Sequence, residues 1–261
     1  MNSKILYVIQ LILLIIFNLN GIKIYKYTQN LKQTNDIEIS SRELIDNMSQ
    51  YEYIYNEVMD DKVLNEHDEE EIIKQKNKIS KDLINKLTEE YPDAIGHIHI
   101  ENTSIYYPIV QTDDNEFYLT HSPKKDKNAN GSIFLSYLNN PDFSDDNTVI
   151  YGHNIKSGKL FQNLHKFKDQ EFYDKVNTID VHTNEGHKVY KIFSVYSTDP
   201  NYQYKYTNFN TYDDKLDFIN EVIDKSIIIS DNDVDEHSKI ITLSTCGSNG
   251  NKRLVVHGAE I

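Results

Sequence analysis

The sequence contains no proline before Pro92 and no glycine between Gly21 and Gly96. These two residue types interrupt helices most often, so their absence favours long helices in the first third of the chain. Apolar residues recur there at spacings of three, four or seven, which predicts two amphipathic helices. The apolar positions are Ile37, Leu44, Ile45, Met48, Tyr51, Ile54 and Val58, followed by Ile72, Ile73, Ile79, Leu83, Ile84 and Leu87.

An acidic segment, residues 60–71, separates the two predicted helices. A run of carboxylates and other polar residues is most simply a solvated linker that leads into a helix start, with a metal site as the alternative. We therefore expect residues 27–90 to form a helical extension ahead of the domain that follows.

An apolar segment, residues 5–26, precedes this extension. Its dense apolar core and weaker continuation together approach the about 20 residues that a bilayer-spanning helix requires. No small-x-small cleavage site follows, so we predict an uncleaved signal anchor with a short cytoplasmic N-terminus, residues 1–4. Lys4 precedes the segment while Lys23 and Lys26 follow it, so the positive charges alone do not fix its orientation.

From Tyr91 the pattern changes to short β-rich runs separated by turn residues. Many short strands with irregular connections predict a mostly β domain, a closed antiparallel β-barrel that occupies residues 91–261. A helix is predicted from Tyr212 to Asp224, in the connection before the penultimate strand. The predicted strands are Ile95–Ile100, Ser104–Val110, Ile133–Leu135, Thr148–Tyr151, Thr178–Val181, Val189–Tyr196, Ile240–Cys246 and Arg253–Val256.

Two histidines, His97 and His99, share one face of the first predicted strand. Such a pair could ligate a metal ion, but a site needs at least a third ligand and the sequence shows none. We interpret them as ordinary strand histidines.

The last two β-rich runs flank a polar loop that contains Gly247 and Gly250, which predicts a β-hairpin. Side chains alternate along a strand, so each strand presents one set of residues to a given face. The two sets are Thr242, Ser244 and Cys246, and Arg253, Val255 and His257. Where these faces coincide, Cys246 and Arg253 are neighbours.

Cys246 is the only cysteine of the chain. A lone cysteine is most often a small buried apolar residue. Here the cysteine ends a strand at a glycine-containing loop, and an arginine lies across the hairpin, which favours a reactive thiol.

A thiol nucleophile needs a base, and the chain has ten histidines. His153 follows Gly152 at the end of a short apolar strand and precedes a polar loop, so it is positioned for display rather than for packing. His257, beyond Arg253, and His121, in a polar loop, stay open as alternatives.

These motifs resemble the signature of the sortases, and specifically that of the class B sortases. Thr-Leu-Ser-Thr-Cys246 is followed seven residues later by Arg253, and Tyr-Gly-His153-Asn lies upstream. Segments that resemble the first barrel strands of the family and the stretch after them are Asp93–Gln111, Asp114–Ser122 and Gly131–Leu135. The resemblance covers residues 90–261, and class B sortases also carry extra helices ahead of the barrel.

The resemblance implies a sortase-type barrel and a cysteine transpeptidase without a cofactor or metal. Such an enzyme would cleave a C-terminal sorting signal after threonine, hold the surface protein as a thioester and pass it to an amine of a peptidoglycan precursor. Cys246 would be the nucleophile, and His153 would act first as general acid and then as base. Arg253 would hold the oxyanion or the substrate backbone beside it.

The resemblance also implies a substrate groove and a cellular location. The substrate-binding residues would be Thr198, Tyr202 and Gln203 in one wall, with Leu119, Ser244 and Thr245 opposite. The catalytic domain would lie outside the cell, tethered to the cell membrane by a single span, with surface proteins that bear a sorting signal as partners. The formal net charge of −14 argues against a nucleic-acid partner.

Two other classes of protein stay open. A cell-wall cysteine hydrolase or L,D-transpeptidase would use the same cysteine and histidine, but with a different pattern around the cysteine and no arginine seven residues after it. A non-enzymatic surface adhesin would leave Cys246 inert. No carboxylate is assigned to orient His153, because Gly247 occupies the position after the cysteine where some sortases carry an acidic residue.

Overall fold

The fold is that of a computed structural model, which describes residues 3–60, 66–231, 233–246 and 252–261. Side chains are described for residues 7–47, 71, 73–231, 233–245 and 252–261. Part of the predicted linker, the hairpin-loop glycines and several predicted side chains lie outside the described residues. They are residues 61–65, Gly247 and Gly250, and the side chains of Met48, Tyr51, Ile54, Val58, Ile72 and Cys246.

The first helix, α1, runs without interruption over Ser3–Asp60. The predicted membrane segment and the first amphipathic helix are therefore parts of one helix. The side-chain amide of Asn18 donates to the carbonyl of Leu14 at 3.0 Å, so this polar residue is accommodated within the helix. The large apolar side chains between Tyr7 and Tyr27 are exposed. An 18-residue window in the candidate span Tyr7–Asn47 has a mean hydropathy of 1.8, so the helix is long and apolar enough to cross a membrane.

The following part of α1 packs against the β-rich domain. The side-chain amide of Asn128 donates to Gln33 Oε1 at 2.8 Å, and the Tyr107 hydroxyl donates to Glu38 at 3.3 Å. Ile37 is buried in the same contact. The helix that carries the apolar segment is thus directly docked on the barrel.

The second helix, α2, spans Glu66–Glu90. Leu83, Ile84 and Leu87 are completely buried in the core of the domain. Their spacing of one, three and four residues is the helical period on which the prediction of this helix rested.

Eight strands close a barrel in the order β1-β2-β3-β4-β9-β10-β8-β7, and β5 and β6 form a separate small hairpin. The strands are β1 Ala94–His99, β2 Tyr106–Val110, β3 Ile133–Leu135, β4 Asn147–Tyr151, β5 Asn154–Ile155, β6 Lys159–Leu160, β7 Thr178–Thr183, β8 Gly186–Thr198, β9 Ile240–Cys246 and β10 Arg253–Glu260. Every predicted strand is present, so the predicted closed barrel is confirmed.

The barrel is not antiparallel throughout. Strand β2 pairs with β3 in parallel, and β4 pairs with β9 in parallel. A tight hairpin forces two strands to run antiparallel, whereas residues 111–132 and 152–239 are long enough to return the chain to the end from which it started. The long connections therefore allow the two parallel pairings.

The connections carry the remaining helices. The helix α3 spans Gln170–Lys175 and follows a 3-10 helix over Phe161–Lys168. The helix α4 spans Tyr212–Asp224, as predicted, and its N-cap Thr211 accepts a hydrogen bond from the backbone N–H of Asp214. This helix lies in the connection between β8 and β9.

Candidate active site

The hairpin of β9 and β10 places Cys246 directly opposite Arg253. In the same register Ser244 pairs with Val255 and Thr242 pairs with His257. The two faces predicted from the alternation of side chains therefore coincide. Arg253 also pairs with Thr198 on its other side, so this arginine lies between β9 and β8.

The parallel pairing of β4 with β9 brings His153 to the same end of the barrel. Tyr151 pairs with Ser244, so His153 and Cys246 each lie two residues beyond a paired position. Gly152, which lies between Tyr151 and His153, donates its backbone N–H to the Ser244 carbonyl at 3.2 Å.

A glycine at position 152 lets the chain pass close to Ile133 and Phe161. A Cβ atom at this position would lie 2.5 Å from Ile133 Cδ1 and 2.8 Å from the Phe161 ring. These distances are too short for any side chain, so only glycine lets β4 pass into the His153 loop here.

His153 is held by the backbone of a neighbouring loop. Its Nε2 lies 3.0 Å from the carbonyl oxygen of Leu119, so Nε2 carries a proton and donates, and neutral His153 keeps its lone pair on Nδ1. Burial lowers the pKa of His153 below its usual value. The Leu119 carbonyl opposes this shift, while the positive charge of Arg253 lowers the pKa further.

A groove of about 250 Å³ connects these residues. It is lined by Asn115, Leu119, Phe134, Tyr151, Gly152, His153, Pro200, Tyr204, Lys205, Ser244, Thr245 and Arg253. Three of the six side chains assigned to substrate binding by resemblance therefore line the groove together with His153 and Arg253. They are Leu119, Ser244 and Thr245, and the buried Thr245 hydroxyl has no hydrogen-bond partner among the described residues.

The other three side chains do not line the groove. Thr198 is half-buried at the end of β8. The half-buried ring of Tyr202 packs edge-on against Tyr196 and lies beneath the ammonium of Lys225. Gln203 is exposed, with its amide 3.5 Å from the Asn201 carbonyl.

The loop after β8 contributes three lining residues that the sequence reasoning did not name, Pro200, Tyr204 and Lys205. Tyr204 is 1% exposed, and its hydroxyl lies 2.8 Å from Ser244 Oγ, which ties the loop to β9. Lys205 follows at the groove surface. The abundance of tyrosine in this stretch was a usable signal for a wall, but sequence alone does not tell which tyrosine faces inward.

The two alternative histidines lie outside the groove. His257 is completely buried and joins a hydrogen-bonded chain with Tyr196 and Thr242. His121 donates from Nδ1 to the Phe117 carbonyl at 2.8 Å and stacks on the Phe117 ring at 4.1 Å. Of the three histidines considered from sequence, only His153 lines the groove.

The metal alternative at His97 and His99 gains no support from the described part of the chain, and the side chains of residues 60–70, where the other alternative falls, lie outside it. Within it, no group of three or more His, Cys, Asp or Glu side chains is arranged to hold a metal ion. His97 and His99 lie side by side on β1 with ring centroids 6.2 Å apart, away from the groove. The groove itself combines an imidazole, a guanidinium and the strand end that bears the cysteine, which is a set of groups suited to acyl transfer.

A search of protein families matches residues 98–261 to the sortase domain. Sortase B of Listeria monocytogenes is 37% identical over 169 residues, which cover 64% of this chain and 69% of that protein. A crystal structure of Staphylococcus aureus sortase B superposes with a TM-score of 0.72 at 27% identity and covers 88% of this chain and 98% of that chain.

Two sortase B complexes are also similar to this chain. One is the Staphylococcus aureus sortase B–substrate complex, and the other is a sortase B complexed with triglycine. Each has a TM-score of 0.67 at 30% identity and covers 73% of this chain and 94% of that chain.

Proposed function

The chain belongs to the sortase family as a sortase B-type transpeptidase, and we propose that it joins surface proteins to the cell wall through a thioester on Cys246. The proposed reaction cleaves a C-terminal sorting signal after threonine and transfers the protein to an amine of a peptidoglycan precursor. The observation that carries this proposal is the meeting of His153, Arg253 and the Cys246 strand end at one groove.

The first half of the reaction forms the thioester. The Cys246 thiolate attacks the threonine carbonyl, so a carbon–sulfur bond forms and the carbonyl oxygen becomes an oxyanion. Collapse of this intermediate breaks the carbon–nitrogen bond, and the leaving amine takes a proton from the His153 imidazolium. The second half reverses these roles: the incoming amine attacks the thioester, loses its proton to His153 and releases the thiolate.

The protonation state required by this scheme is a minority state at neutral pH. A cysteine of ordinary pKa, about 8.5, is mostly a thiol, and a histidine of ordinary pKa, about 6.5, is mostly neutral. Burial and the charge of Arg253 lower the pKa of His153 and so make the imidazolium rarer still. We infer that the enzyme works through a small population of the thiolate–imidazolium pair.

Arg253 supports the oxyanion in this proposal. It lies across the hairpin from Cys246, is half-buried and lines the groove. Its planar guanidinium can donate two parallel N–H groups, one to the oxyanion and one to a neighbouring oxygen of the substrate. A fixed donor at this position costs no reorganisation when the negative charge develops.

The partners and the location follow from the relatives and from α1. Solved complexes show a sortase B with a substrate and another with triglycine, a peptide with a free amine. We propose that this chain likewise takes a peptide sorting signal as donor and a peptide amine as acceptor. The apolar part of α1 would anchor the enzyme in the cell membrane, with the barrel on the outer side.

The test is product analysis by mass spectrometry on a peptide library with four randomised residues before a fixed Thr-Gly pair. With added triglycine, the wild-type chain should yield products joined to triglycine, and a trapped adduct should map to Cys246. Cleavage that yields only hydrolysed products at every triglycine concentration would favour a cysteine hydrolase. Equal cleavage by Cys246→Ala would remove the thioester from the mechanism.

A further inference from the structure

The groove differs in charge from the rest of the chain. The whole chain carries a formal net charge of −14. No aspartate or glutamate is among the described residues that line the groove, whereas Lys205 and Arg253 are. The loop after Cys246, Gly-Ser-Asn-Gly-Asn, adds no acid by its sequence. A cleft lined by one sign of charge concentrates ligands of the opposite sign.

Lys205 lies beside a buried tyrosine at the edge of the groove. Its Nζ lies 5.6 Å from the centroid of the Tyr204 ring. That ring is buried, and its hydroxyl is anchored 2.8 Å from Ser244 Oγ. The ammonium therefore lies near an aromatic ring that is hydrogen-bonded to the strand that carries the nucleophile. Because Lys205 itself is exposed, a bound peptide can reach it without a rearrangement.

The acid nearest in sequence does not cancel this charge inside the groove. Asp199 accepts a hydrogen bond from the backbone N–H of Asn201 at 2.8 Å and is not among the lining residues. Arg253 is assigned to the oxyanion in the proposed mechanism. Lys205 is therefore the lining cation that is left to contact a side chain of the substrate.

We propose that Lys205 is a specificity-determining residue that selects sorting signals with an acidic side chain among the residues before the cleaved bond. This inference rests on the proposed function, since it concerns the peptide that occupies the same groove. The substrate class is thus an acidic sorting peptide. Charge complementarity at an exposed position is worth little energy, so the expected preference is about fivefold and weakens as salt is added.

The experiment uses the full chain in detergent micelles and the randomised library of four residues before Thr-Gly. Cleaved products are sequenced by mass spectrometry at low and at high salt. Wild type should enrich aspartate and glutamate over lysine and arginine about fivefold at one of the four positions. Lys205→Gln should abolish this enrichment, and Lys205→Glu should reverse it. Both effects are read as ratios among the products of one library, so they do not depend on the overall rate of cleavage.

Lys225→Glu is the matched control. The Lys225 ammonium also lies over a tyrosine of the same loop, 4.7 Å from the Tyr202 centroid, but it does not line the groove. This variant changes the net charge as Lys205→Glu does, and it should keep the acidic preference. Reversal by Lys225→Glu, or an unchanged preference in Lys205→Gln, would overturn the assignment to Lys205. A library of which no member is cleaved would overturn the proposed function itself, and with it this inference.

Discussion

His257 is completely buried in a hydrogen-bonded chain with Thr242 and Tyr196. The Thr242 hydroxyl donates to Asn147 Oδ1 at 2.6 Å, so its oxygen accepts from His257 Nδ1 at 2.8 Å. His257 Nε2 then accepts from the Tyr196 hydroxyl at 3.0 Å. A second proton on the ring would place a positive charge in a site that is completely buried. Burial accordingly lowers the pKa of His257 to about 3.

This arrangement makes the folding stability depend on pH. In the unfolded chain a histidine has a pKa of about 6.5. Below that pH the unfolded state therefore binds a proton that the native state does not bind. The contribution of His257 is fully present above about pH 6.5 and is lost as the pH falls toward about 3. At about pH 5, roughly 1.5 pH units below the unfolded-state pKa, the loss is about 2 kcal/mol.

We therefore expect His257→Gln to reduce the pH dependence of the folding stability. Glutamine keeps one acceptor and one donor but does not titrate. Urea unfolding of a chain that lacks residues 1–27, followed by circular dichroism at pH 7.5 and pH 5, measures the two free energies of unfolding. The wild type should lose about 2 kcal/mol more than the variant over this range. His237→Gln, at a side chain that is 65% exposed, is the control. Equal losses in wild type and His257→Gln would refute the reasoning.

Four further predictions concern the groove and the helix α1. Cys246→Ala should abolish cleavage and leave the fold intact, because a small residue at a strand end leaves little cavity; residual turnover above a few per cent would exclude the thiol as nucleophile. Arg253→Lys should lower kcat/KM about a hundredfold with Tm almost unchanged, because lysine lacks the planar fork; near-normal kinetics would make Arg253 structural. Arg253→Gln should raise the pKa of His153 in an NMR titration, since a nearby positive charge is removed, and an unmoved titration would contradict this electrostatic effect. A chain that begins at Thr28 should stay folded and cleave peptide in solution, whereas one that begins at Arg42 should show a lower Tm in thermal unfolding, because it loses the contacts of Gln33 and Glu38.

The sequence alone determined the features that depend on residues close together in the chain. Alternation of side chains set the faces of β9 and β10, and the short loop between them left one register in which Cys246 and Arg253 are opposite. Turn residues and β-branched runs marked every barrel strand. The helix α4 was likewise predicted at Tyr212–Asp224. These signals come from neighbouring residues, so they can be recognised in the sequence without knowledge of the fold.

The tertiary structure decided what depends on contacts between distant segments. His153 reaches the cysteine strand only because β4 and β9 pair in parallel across a connection of residues 152–239. No local pattern encodes the partner of a strand, since the closure of the barrel selects it. The same holds for the loop after β8, where packing against β9 turns Tyr204 and Lys205 toward the groove and leaves Tyr202 beside it. The burial of His257 was likewise hidden, because a histidine on a strand face is exposed or enclosed according to what the rest of the chain places over it.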